Sequence, residues 1–211
     1  MRAELLSVLA GEIRTRAARR VAVDGVDGAG KTHFADELAR ELTERGAEVV
    51  RASVDGFHHP PAIRHRRGRG SPEGYFRDSY DYPRVIELLL APLGPGGSGR
   101  HVRAVYDVHA ESPVAVVPRT AGPGAILLLD GIFAHRDELA GFWDYSVWLD
   151  VPFAVSIPRG AARGYGDPDP DAELNRRYLG GQRLYLAECD PRSRATVVID
   201  NTDLANPVRV T

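Results

Sequence analysis

The stretch that decides the fold is Gly25-Val26-Asp27-Gly28-Ala29-Gly30-Lys31-Thr32. An apolar run at 21–23 precedes it, and Phe34, Leu38 and Leu42 follow it at helical spacing. This order of strand, glycine-rich turn and helix fits G-x-x-x-x-G-K-S/T, the phosphate-binding P-loop. Glycines let the backbone N–H groups face a phosphate, and the positive end of the helix adds to the attraction. The stretch therefore predicts a binding site for a nucleoside triphosphate.

One lysine stands inside that turn. Of the 27 basic residues of the chain, 26 are arginines, and the remaining one is Lys31. A compact ammonium reaches the outer phosphates of a nucleotide, a task that the planar guanidinium performs poorly. We therefore expect Lys31 to be catalytic and the Thr32 hydroxyl to ligate Mg²⁺. The residues expected to bind the nucleotide are Gly25, Asp27, Gly28, Ala29, Gly30, Lys31, Thr32 and His33.

The composition is that of an ordinary globular protein and excludes several classes. Of the 211 residues, 43% are hydrophobic and 27% are charged, and the formal net charge of −2 gives no general support for binding to nucleic acid or membranes. No apolar run approaches the length of a membrane span, and the single cysteine, Cys189, excludes an internal disulfide. We expect one domain over 1–211, located in the cytoplasm.

The hydrophobic pattern along the chain predicts an α/β fold. The first 55 residues are expected to form a βαβ unit with a parallel pair of strands, the second at 48–54. The run at 125–129 does not alternate, which is typical of a strand buried on both faces of a parallel sheet. The other expected elements are a surface helix at 2–11, an irregular loop at 56–83, a helix at 82–90, a hairpin insertion at 102–117, strands at 145–149 and 196–199, and a helical lid at 153–188. The expected result is a P-loop NTPase fold, a mainly parallel five-stranded sheet with helices on both faces.

A carboxylate follows the most apolar strand. Asp130 ends the run at 125–129, at the sheet edge that also carries the P-loop, and we interpret it as a Walker B ligand of Mg²⁺. A helix-capping aspartate is the alternative. Gly131 stands where water-activating ATPases carry a glutamate, and no guanine-reading Asn-Lys-x-Asp occurs, since Lys31 is the only lysine. The pattern therefore disfavours motors and guanine-nucleotide switches.

Further short segments follow the P-loop in a specific order. They are Ser53-Val54-Asp55-Gly56-Phe57, Tyr80-Asp81-Tyr82-Pro83, Val105-Tyr106-Asp107, Leu129-Asp130-Gly131-Ile132-Phe133 and Val198-Ile199-Asp200-Asn201. Over 21–206 the chain thus resembles the branch of P-loop kinases that contains uridine kinase, pantothenate kinase and phosphoribulokinase, and it is closest to the uridine kinase-like proteins. The resemblance implies an enzyme that uses ATP and Mg²⁺ to phosphorylate a hydroxyl of a small molecule.

The resemblance also implies roles for individual residues. Asp55 would be the general base, and a carboxylate after the second strand lies within reach of the γ-phosphate, although a turn-forming aspartate before Gly56 is the alternative. Arg159 and Arg163, four residues apart, would be lid arginines that contact one phosphate group. The residues expected to bind the acceptor are Phe57, His58, Asp81, Tyr106 and His109, and Asn201 is expected to bind the nucleotide.

Departures from uridine kinases bear on the acceptor. Those enzymes carry a histidine five residues after the tyrosine that matches Tyr106, whereas this chain has Glu111 there and its nearest imidazole at His109. We expect a nucleoside such as uridine or cytidine; pantothenate or another vitamin or sugar alcohol is the alternative within the class, and a nucleotide-binding ATPase or regulatory module is the alternative outside it. The sequence leaves open the choice between ATP and GTP, a homo-oligomeric state, and whether the arginine-rich loop 64–69 contacts the substrate.

Overall fold

A parallel sheet carries the strands close to their expected positions. The structure, a computed structural model, describes residues 2–210. Its strands in chain order are β1 (Arg20–Gly25), β2 (Val49–Ser53), β3 (Arg100–His101), β4 (Tyr106–Asp107), β5 (Ser112–Pro113), β6 (Arg119–Thr120), β7 (Ile126–Asp130), β8 (Tyr145–Asp150), β9 (Val197–Asp200) and β10 (Val208–Arg209). The main sheet has the order β2-β7-β1-β8-β9-β10, in which only β9 and β10 pair antiparallel. The predicted α/β fold is confirmed, and β10 adds a short edge strand to the five expected.

The strands β1 and β2 are not neighbours, which corrects the expected parallel pair. β7 lies between them, with Leu128 opposite both Val21 and Arg51. Every residue of β7 is buried, because the strand has sheet neighbours on both sides and helices on both faces. This insertion places the end of the most apolar strand between the P-loop strand and the strand that leads to Asp55.

Helices cover both faces of the sheet. They are α1 (Arg2–Thr15), α2 (Lys31–Glu44), α3 (Pro61–Arg64), α4 (Pro72–Asp78), α5 (Tyr82–Val85), α6 (Asp137–Ala140), α7 (Phe153–Ala161), α8 (Arg176–Cys189) and α9 (Pro191–Arg194), with 3₁₀ turns at Val54–Phe57 and Glu173–Asn175 and a π-helical turn at Ile86–Leu90. α1 packs on α2 and buries Leu6, Leu9 and Ile13, so it is less exposed than expected. Among the described helices, none combines the length and the apolar character needed to cross a membrane.

An aromatic cluster joins α4 and α8 to the sheet. Phe133, after β7, lies with its ring centroid 5.3 Å from that of Phe76 in α4 and 5.0 Å from that of Tyr185 in α8. Tyr185 also contacts Trp148 of β8, at a centroid distance of 6.3 Å. Edge-to-face contacts between buried rings add to the hydrophobic stabilisation. They hold α8 beside the strands that carry the site.

Two expected segments differ from the prediction. The segment 56–83 is not an irregular loop, because α3 and α4 form within it; the Ser71 hydroxyl caps α4 by accepting a hydrogen bond from Gly74 N at 3.0 Å. The expected hairpin at 102–117 shrinks to the two-residue ladder of β4 and β5, and β3 pairs with β6 outside it. The lid region contains α7, a turn-rich link and α8.

Candidate functional site

The carboxyl ends of the central strands bring the predicted site residues to one edge of the sheet. Gly25 ends β1, Asp130 ends β7, and Asp55 follows β2 after one intervening turn residue. In the sheet register, Asp130 stands opposite both Val23 of β1 and Ser53 of β2. Open α/β sheets bind their ligands at this edge. The arrangement therefore sets the P-loop, Asp130 and Asp55 side by side.

The P-loop glycines adopt conformations that other residues avoid. Gly28 has a φ of +78° and Gly30 a φ of +90°, both in the left-handed region that favours glycine. A Cβ atom on Gly28 would lie 2.0 Å from the carbonyl oxygen of Ser156, so α7 packs directly against the loop. α2 begins at Lys31, and its first backbone hydrogen bond runs from Phe34 N to Gly30 O at 3.0 Å. The N–H groups before Phe34 therefore lie at the open N-terminal end of the helix. Such N–H donors at the positive end of a helix bind phosphate.

Side chains from α4 and α8 hold the P-loop at Asp27. The Gln182 amide accepts from Asp27 N at 2.8 Å and donates to Asp27 Oδ2 at 3.1 Å, and the Tyr75 hydroxyl donates to the same oxygen at 2.7 Å. Burial raises the pKa of Asp27, and the nearby Lys31 ammonium partly offsets that effect. Lys31 Nζ donates to Val26 O at 2.9 Å. No short motif connects Tyr75 or Gln182 to the P-loop, so the sequence pattern predicts neither residue at this site.

The two residues expected to bind Mg²⁺ contact one another. Thr32 Oγ1 donates to Asp130 Oδ2 at 2.7 Å, which leaves the lone pairs of the hydroxyl oxygen for a metal ion. Within residues 2–210, no group of three or more His, Cys, Asp or Glu side chains could hold a metal ion. Mg²⁺ in phosphate-binding sites is typically held by one or two protein oxygens together with substrate phosphates and water. A third residue, Arg51, donates to Asp130 Oδ1 at 3.0 Å and was missed by the sequence analysis.

Asp55 is an exposed carboxylate with a fixed orientation. It lies in the 3₁₀ turn after β2, and the Tyr80 hydroxyl donates to its Oδ1 at 2.9 Å. His58 Nδ1 is 2.8 Å from the backbone oxygen of Asp55, and the His58 ring lies 4.4 Å from the Tyr80 ring between centroids. Burial lowers the pKa of His58. The carboxylate is therefore oriented and open to solvent, as a general base for an incoming hydroxyl must be.

A cavity of about 320 Å³ opens beside His58. Its lining residues are His58, Pro60, Pro61, Asp81, Arg84, Val105, Tyr106, Glu111 and Pro113. The Tyr106 hydroxyl donates to Glu111 Oε2 at 3.1 Å, and Arg64 Nη2 donates to both Glu111 oxygens at 2.6 and 2.5 Å. The hydrogen bond from Arg64 lowers the pKa of Glu111. The cavity therefore combines three of the expected acceptor residues with an ionised carboxylate at the position where uridine kinases carry a histidine.

Two of the residues expected to bind the acceptor, Phe57 and His109, lie outside this cavity. Phe57 is completely buried in the hydrophobic core, so its side chain has no surface to offer an acceptor. His109 is exposed in the turn between β4 and β5, and it does not line the cavity. The alternation of side chains along β2 does not continue through the 3₁₀ turn that contains Phe57. His109 is the imidazole nearest in sequence to the expected position, but it does not reach the cavity. Glu111 takes the place in the wall that we expected for His109.

The lid arginines do not share one helical face. Arg159 donates to the backbone oxygens of Asn201 and Thr202. α7 ends at Ala161, so Arg163 lies in the following turn, where it is exposed. The tight turn around Gly164 ends the helix before the spacing of four residues can align the two guanidinium groups. Their contact with one phosphate group stays a prediction that the helix itself does not support.

Asn201 and His33 occupy different surroundings. The Asn201 side chain is completely buried, and its Nδ2 donates to Ala29 O at 2.7 Å. It therefore holds the backbone of the P-loop and has no exposed surface for a nucleotide, which corrects its expected role as a direct ligand. His33 is exposed in the first turn of α2, 3.5 Å from Glu37 Oε1. Its expected contact with the nucleotide stays a prediction.

The arginine-rich loop is held by carboxylates. Arg66 and Arg67 both pair with the buried Asp78, the latter through Nε at 2.9 Å. Burial opposes ionisation of Asp78, but the hydrogen bonds from these two arginines lower its pKa. Arg64, paired with Glu111, borders the cavity wall. The loop thus forms part of the folded structure, and Arg64 is linked to the cavity wall through Glu111.

A buried polar cluster lies beneath the P-loop. Asp24 Oδ1 accepts from Gly25 N at 2.7 Å, while its Oδ2 is 2.8 Å from His135 Nδ1 and accepts from the Tyr185 hydroxyl. Burial raises the pKa of Tyr185. The cluster connects the first P-loop glycine to α8 and to the segment after β7. No sequence pattern predicts this cluster, because His135 and Tyr185 are 111 and 161 residues from Asp24.

Comparisons with known proteins identify the fold. No protein-family model matches the chain. The thymidylate kinase of Xylella fastidiosa is 32% identical over 152 residues, which are 68% of this chain and 66% of that enzyme. The thymidylate kinase of Xanthomonas campestris is 30% identical over 149 residues, 68% of this chain and 61% of the relative. The chain thus spans slightly less than two thirds of the curated relatives it matches.

Solved structures cover more of the chain. A possible uridine kinase from Bacillus stearothermophilus superposes with a TM-score of 0.71 at 23% identity, over 93% of this chain and 96% of that one. The D-glycerate 3-kinase from Cryptococcus neoformans gives a TM-score of 0.62 at 14% identity, over 85% and 88%. The parallel sheet and its glycine-rich turn define a P-loop NTPase fold. More narrowly, the fold is the one found in these solved kinases, and the sequence is similar to that of thymidylate kinases.

Proposed function

We propose that this chain is a kinase that transfers the γ-phosphoryl group of ATP to a hydroxyl of a small uncharged acceptor, a nucleoside such as uridine or cytidine. The observation that carries the proposal is the position of Asp55, an exposed carboxylate that Tyr80 orients at the sheet edge of the P-loop. An ATPase or a regulatory module needs no such carboxylate. The proposed partner is a small molecule in the cytoplasm, not a nucleic acid or a membrane.

The proposed reaction is an in-line displacement in which positioning and charge compensation supply most of the rate. Asp55 accepts the proton of the acceptor hydroxyl while that oxygen bonds to the γ-phosphorus. The bond between this phosphorus and the β,γ-bridging oxygen breaks, and ADP leaves with the electron pair. Lys31 and the N–H groups of the P-loop hold the phosphates. Thr32 and Asp130 are the residues that would hold Mg²⁺, which neutralises phosphate charge when bound.

The charges around the cavity support an uncharged acceptor. The thymidylate kinases similar to this chain act, by their name, on a nucleotide. Here the cavity wall carries two carboxylates, Asp81 and Glu111, and one guanidinium, Arg84, while Arg64 is already bound by both Glu111 oxygens. An acceptor phosphate would therefore meet more negative than positive charge in the wall, and like charges repel strongly at close range. Carboxylates accept hydrogen bonds from sugar hydroxyls, so they suit a nucleoside.

An acceptor screen tests the proposal. Purified protein with ATP and Mg²⁺ is assayed for ADP release in separate reactions with uridine, cytidine, thymidylate, pantothenate and sugar alcohols. We expect release with uridine or cytidine, and background release without an acceptor or with the Lys31→Ala protein. Preference for thymidylate would contradict the uncharged acceptor, and acceptor-independent release would identify an ATPase. Turnover of pantothenate or a sugar alcohol alone would keep the kinase and replace the nucleoside.

A further inference from the structure

The Walker B carboxylate has a cationic partner that the proposed reaction does not require. Asp130 is 2% exposed, and each of its oxygens accepts a hydrogen bond. Oδ2 accepts from the Thr32 hydroxyl at 2.7 Å, and Oδ1 accepts from Arg51 Nη2 at 3.0 Å. A guanidinium therefore stands next to the carboxylate that would face a divalent metal ion.

Hydrogen bonds from all three nitrogens of its guanidinium hold Arg51 in one position. Nε donates to Asp36 Oδ1 of α2 at 2.9 Å, and Nη1 donates to the backbone oxygens of Ala52 at 2.8 Å and of Leu128 at 3.0 Å. Nη2 lies between Asp36 and Asp130, at 2.8 and 3.0 Å. An exposed ion pair samples many geometries and contributes little. This guanidinium is instead fixed by β2, β7 and α2, and its charge stays beside Asp130.

We propose that Arg51 is a fixed counter-cation of Asp130 that keeps the affinity for a divalent metal low until nucleotide phosphates supply negative charge. A free carboxylate next to the Thr32 hydroxyl would attract a metal ion without a nucleotide. With Arg51 in place, the charge of Asp130 is compensated, and a metal ion also meets the repulsion of the guanidinium. In the nucleotide-free protein Asp130 then acts mainly by orienting Thr32, and Arg51 is a positioning residue.

This role connects metal binding to nucleotide binding. Two or three phosphate groups add several negative charges close to Thr32, which outweigh the single charge of Arg51. The metal ion and the nucleotide would therefore bind together, and the empty P-loop would not retain a metal ion. The inference rests on nucleotide binding at the P-loop, which is part of the proposed function, and it makes no use of the acceptor.

Titration with Mn²⁺ alone tests the role without any turnover. Binding of Mn²⁺ to the full-length protein is measured by electron paramagnetic resonance, first without nucleotide and then with ADP. We expect Arg51→Gln to bind Mn²⁺ alone about tenfold more tightly than the unmodified protein, equivalent to ~1.4 kcal/mol. Arg51→Lys keeps the charge and should stay within about twofold of the unmodified protein. The affinity gained from ADP should shrink in Arg51→Gln.

A matched control separates this effect from a general change of charge. Arg45 caps the C-terminal end of α2, where it pairs with Glu41. Arg45→Gln therefore removes one positive charge about 20 Å along the helix from Thr32. It should leave Mn²⁺ binding unchanged. An affinity for Mn²⁺ alone that is unchanged in a folded Arg51→Gln protein, or that rises equally in Arg51→Lys or in Arg45→Gln, overturns the proposal.

A second variant covers the case in which Arg51→Gln does not fold. Asp36 is half-exposed and pairs with the same guanidinium as Asp130. In Asp36→Asn, Asp130 is the remaining carboxylate partner of Arg51, and no buried charge loses its partner. We expect this protein to bind Mn²⁺ in the presence of ADP about twofold more weakly. A tighter or unchanged affinity contradicts the proposal. Failure of the acceptor screen leaves these titrations unaffected, because no acceptor is present in them.

Discussion

Asp55 and Tyr80 form the smallest unit on which the proposed chemistry depends. The carboxylate is exposed, whereas Tyr80 is buried and burial raises the pKa of its hydroxyl well above the usual value, so the hydroxyl stays a hydrogen-bond donor. A base must be oriented before the substrate arrives, and a single hydrogen bond to one oxygen achieves this while the other oxygen stays available. Phosphoryl transfer to an acceptor needs such a base, whereas nucleotide binding alone does not. The proposed role of Asp55 therefore distinguishes a kinase from a protein that only binds a nucleotide.

Replacement of Asp55 by asparagine tests that role. Asn has nearly the same shape but cannot accept the proton, so kcat should fall by about 10² or more while the Kd for ATP stays within a few-fold. Steady-state kinetics with the acceptor found in the screen and calorimetry with ATP measure both quantities. Tyr80→Phe, which removes only the orienting hydroxyl, should lower kcat by a smaller factor, about tenfold. If Asp55→Asn loses ATP binding as well, Asp55 is a structural or metal-associated residue.

At the scale of elements, α8 is a support of the P-loop rather than only a cover of the sheet. Gln182 contacts both the backbone and the side chain of Asp27, and Tyr185 contacts Asp24 directly before Gly25. The helix thus holds the loop from two sides, and the aromatic contact of Tyr185 with Phe133 at 5.0 Å fixes the helix itself. A change in α8 should therefore alter nucleotide binding without touching the nucleotide.

The variant Gln182→Glu exploits the raised pKa of Asp27. It places a second carboxylate next to Asp27, and the repulsion should weaken ATP binding about tenfold or more at pH 8. A carboxyl group with a raised pKa takes up a proton at a higher pH than usual, so binding should partly recover near pH 5.5, where the pair can share a proton. Fluorescence titration at both values measures this. The uncharged Gln182→Leu protein should lose affinity equally at both pH values; a similar recovery there would contradict the explanation.

The loop between α3 and α4 depends on Asp78 for its position. Asp78 is buried while Arg66 and Arg67 are about half exposed, so solvent screens the pair and the loss in Asp78→Asn should be about 1–2 kcal/mol at pH 7. The folded pKa lies below the usual 3.8, so this stabilisation is present above pH 4 and disappears as the pH falls further. Urea unfolding between pH 3 and 7 should show a smaller acid-induced loss in Asp78→Asn. Parallel curves for both proteins would exclude the ion pair as the cause.

At the scale of the whole molecule, the sequence predicts local elements better than their partners. The apolar pattern locates β7 within one residue, but nothing in it shows that β7 pairs with both β1 and β2, because strand order depends on contacts far apart in the chain. The P-loop is recognisable since its chemistry requires a contiguous turn. Arg51, Gln182 and Glu111 reach the site only through folding, and Phe57 turns into the core because a 3₁₀ turn interrupts the strand.

Nucleotide binding should stabilise the entire domain, because the P-loop is connected to the core through β1, α2 and α8. A ligand at 100 times its Kd adds about 2.7 kcal/mol, which raises the Tm of a chain of this size by about 5–10 °C. We therefore expect Mg²⁺ and ADP to produce such a shift in the unmodified protein, measured by calorimetry. Lys31 contacts only the loop itself, donating to Val26 O at 2.9 Å, so Lys31→Ala should keep its unliganded Tm within about 2 °C and lose most of the shift. A large drop in the unliganded Tm would show that Lys31 holds the fold, and a full shift in the Lys31→Ala protein would show that the nucleotide binds elsewhere.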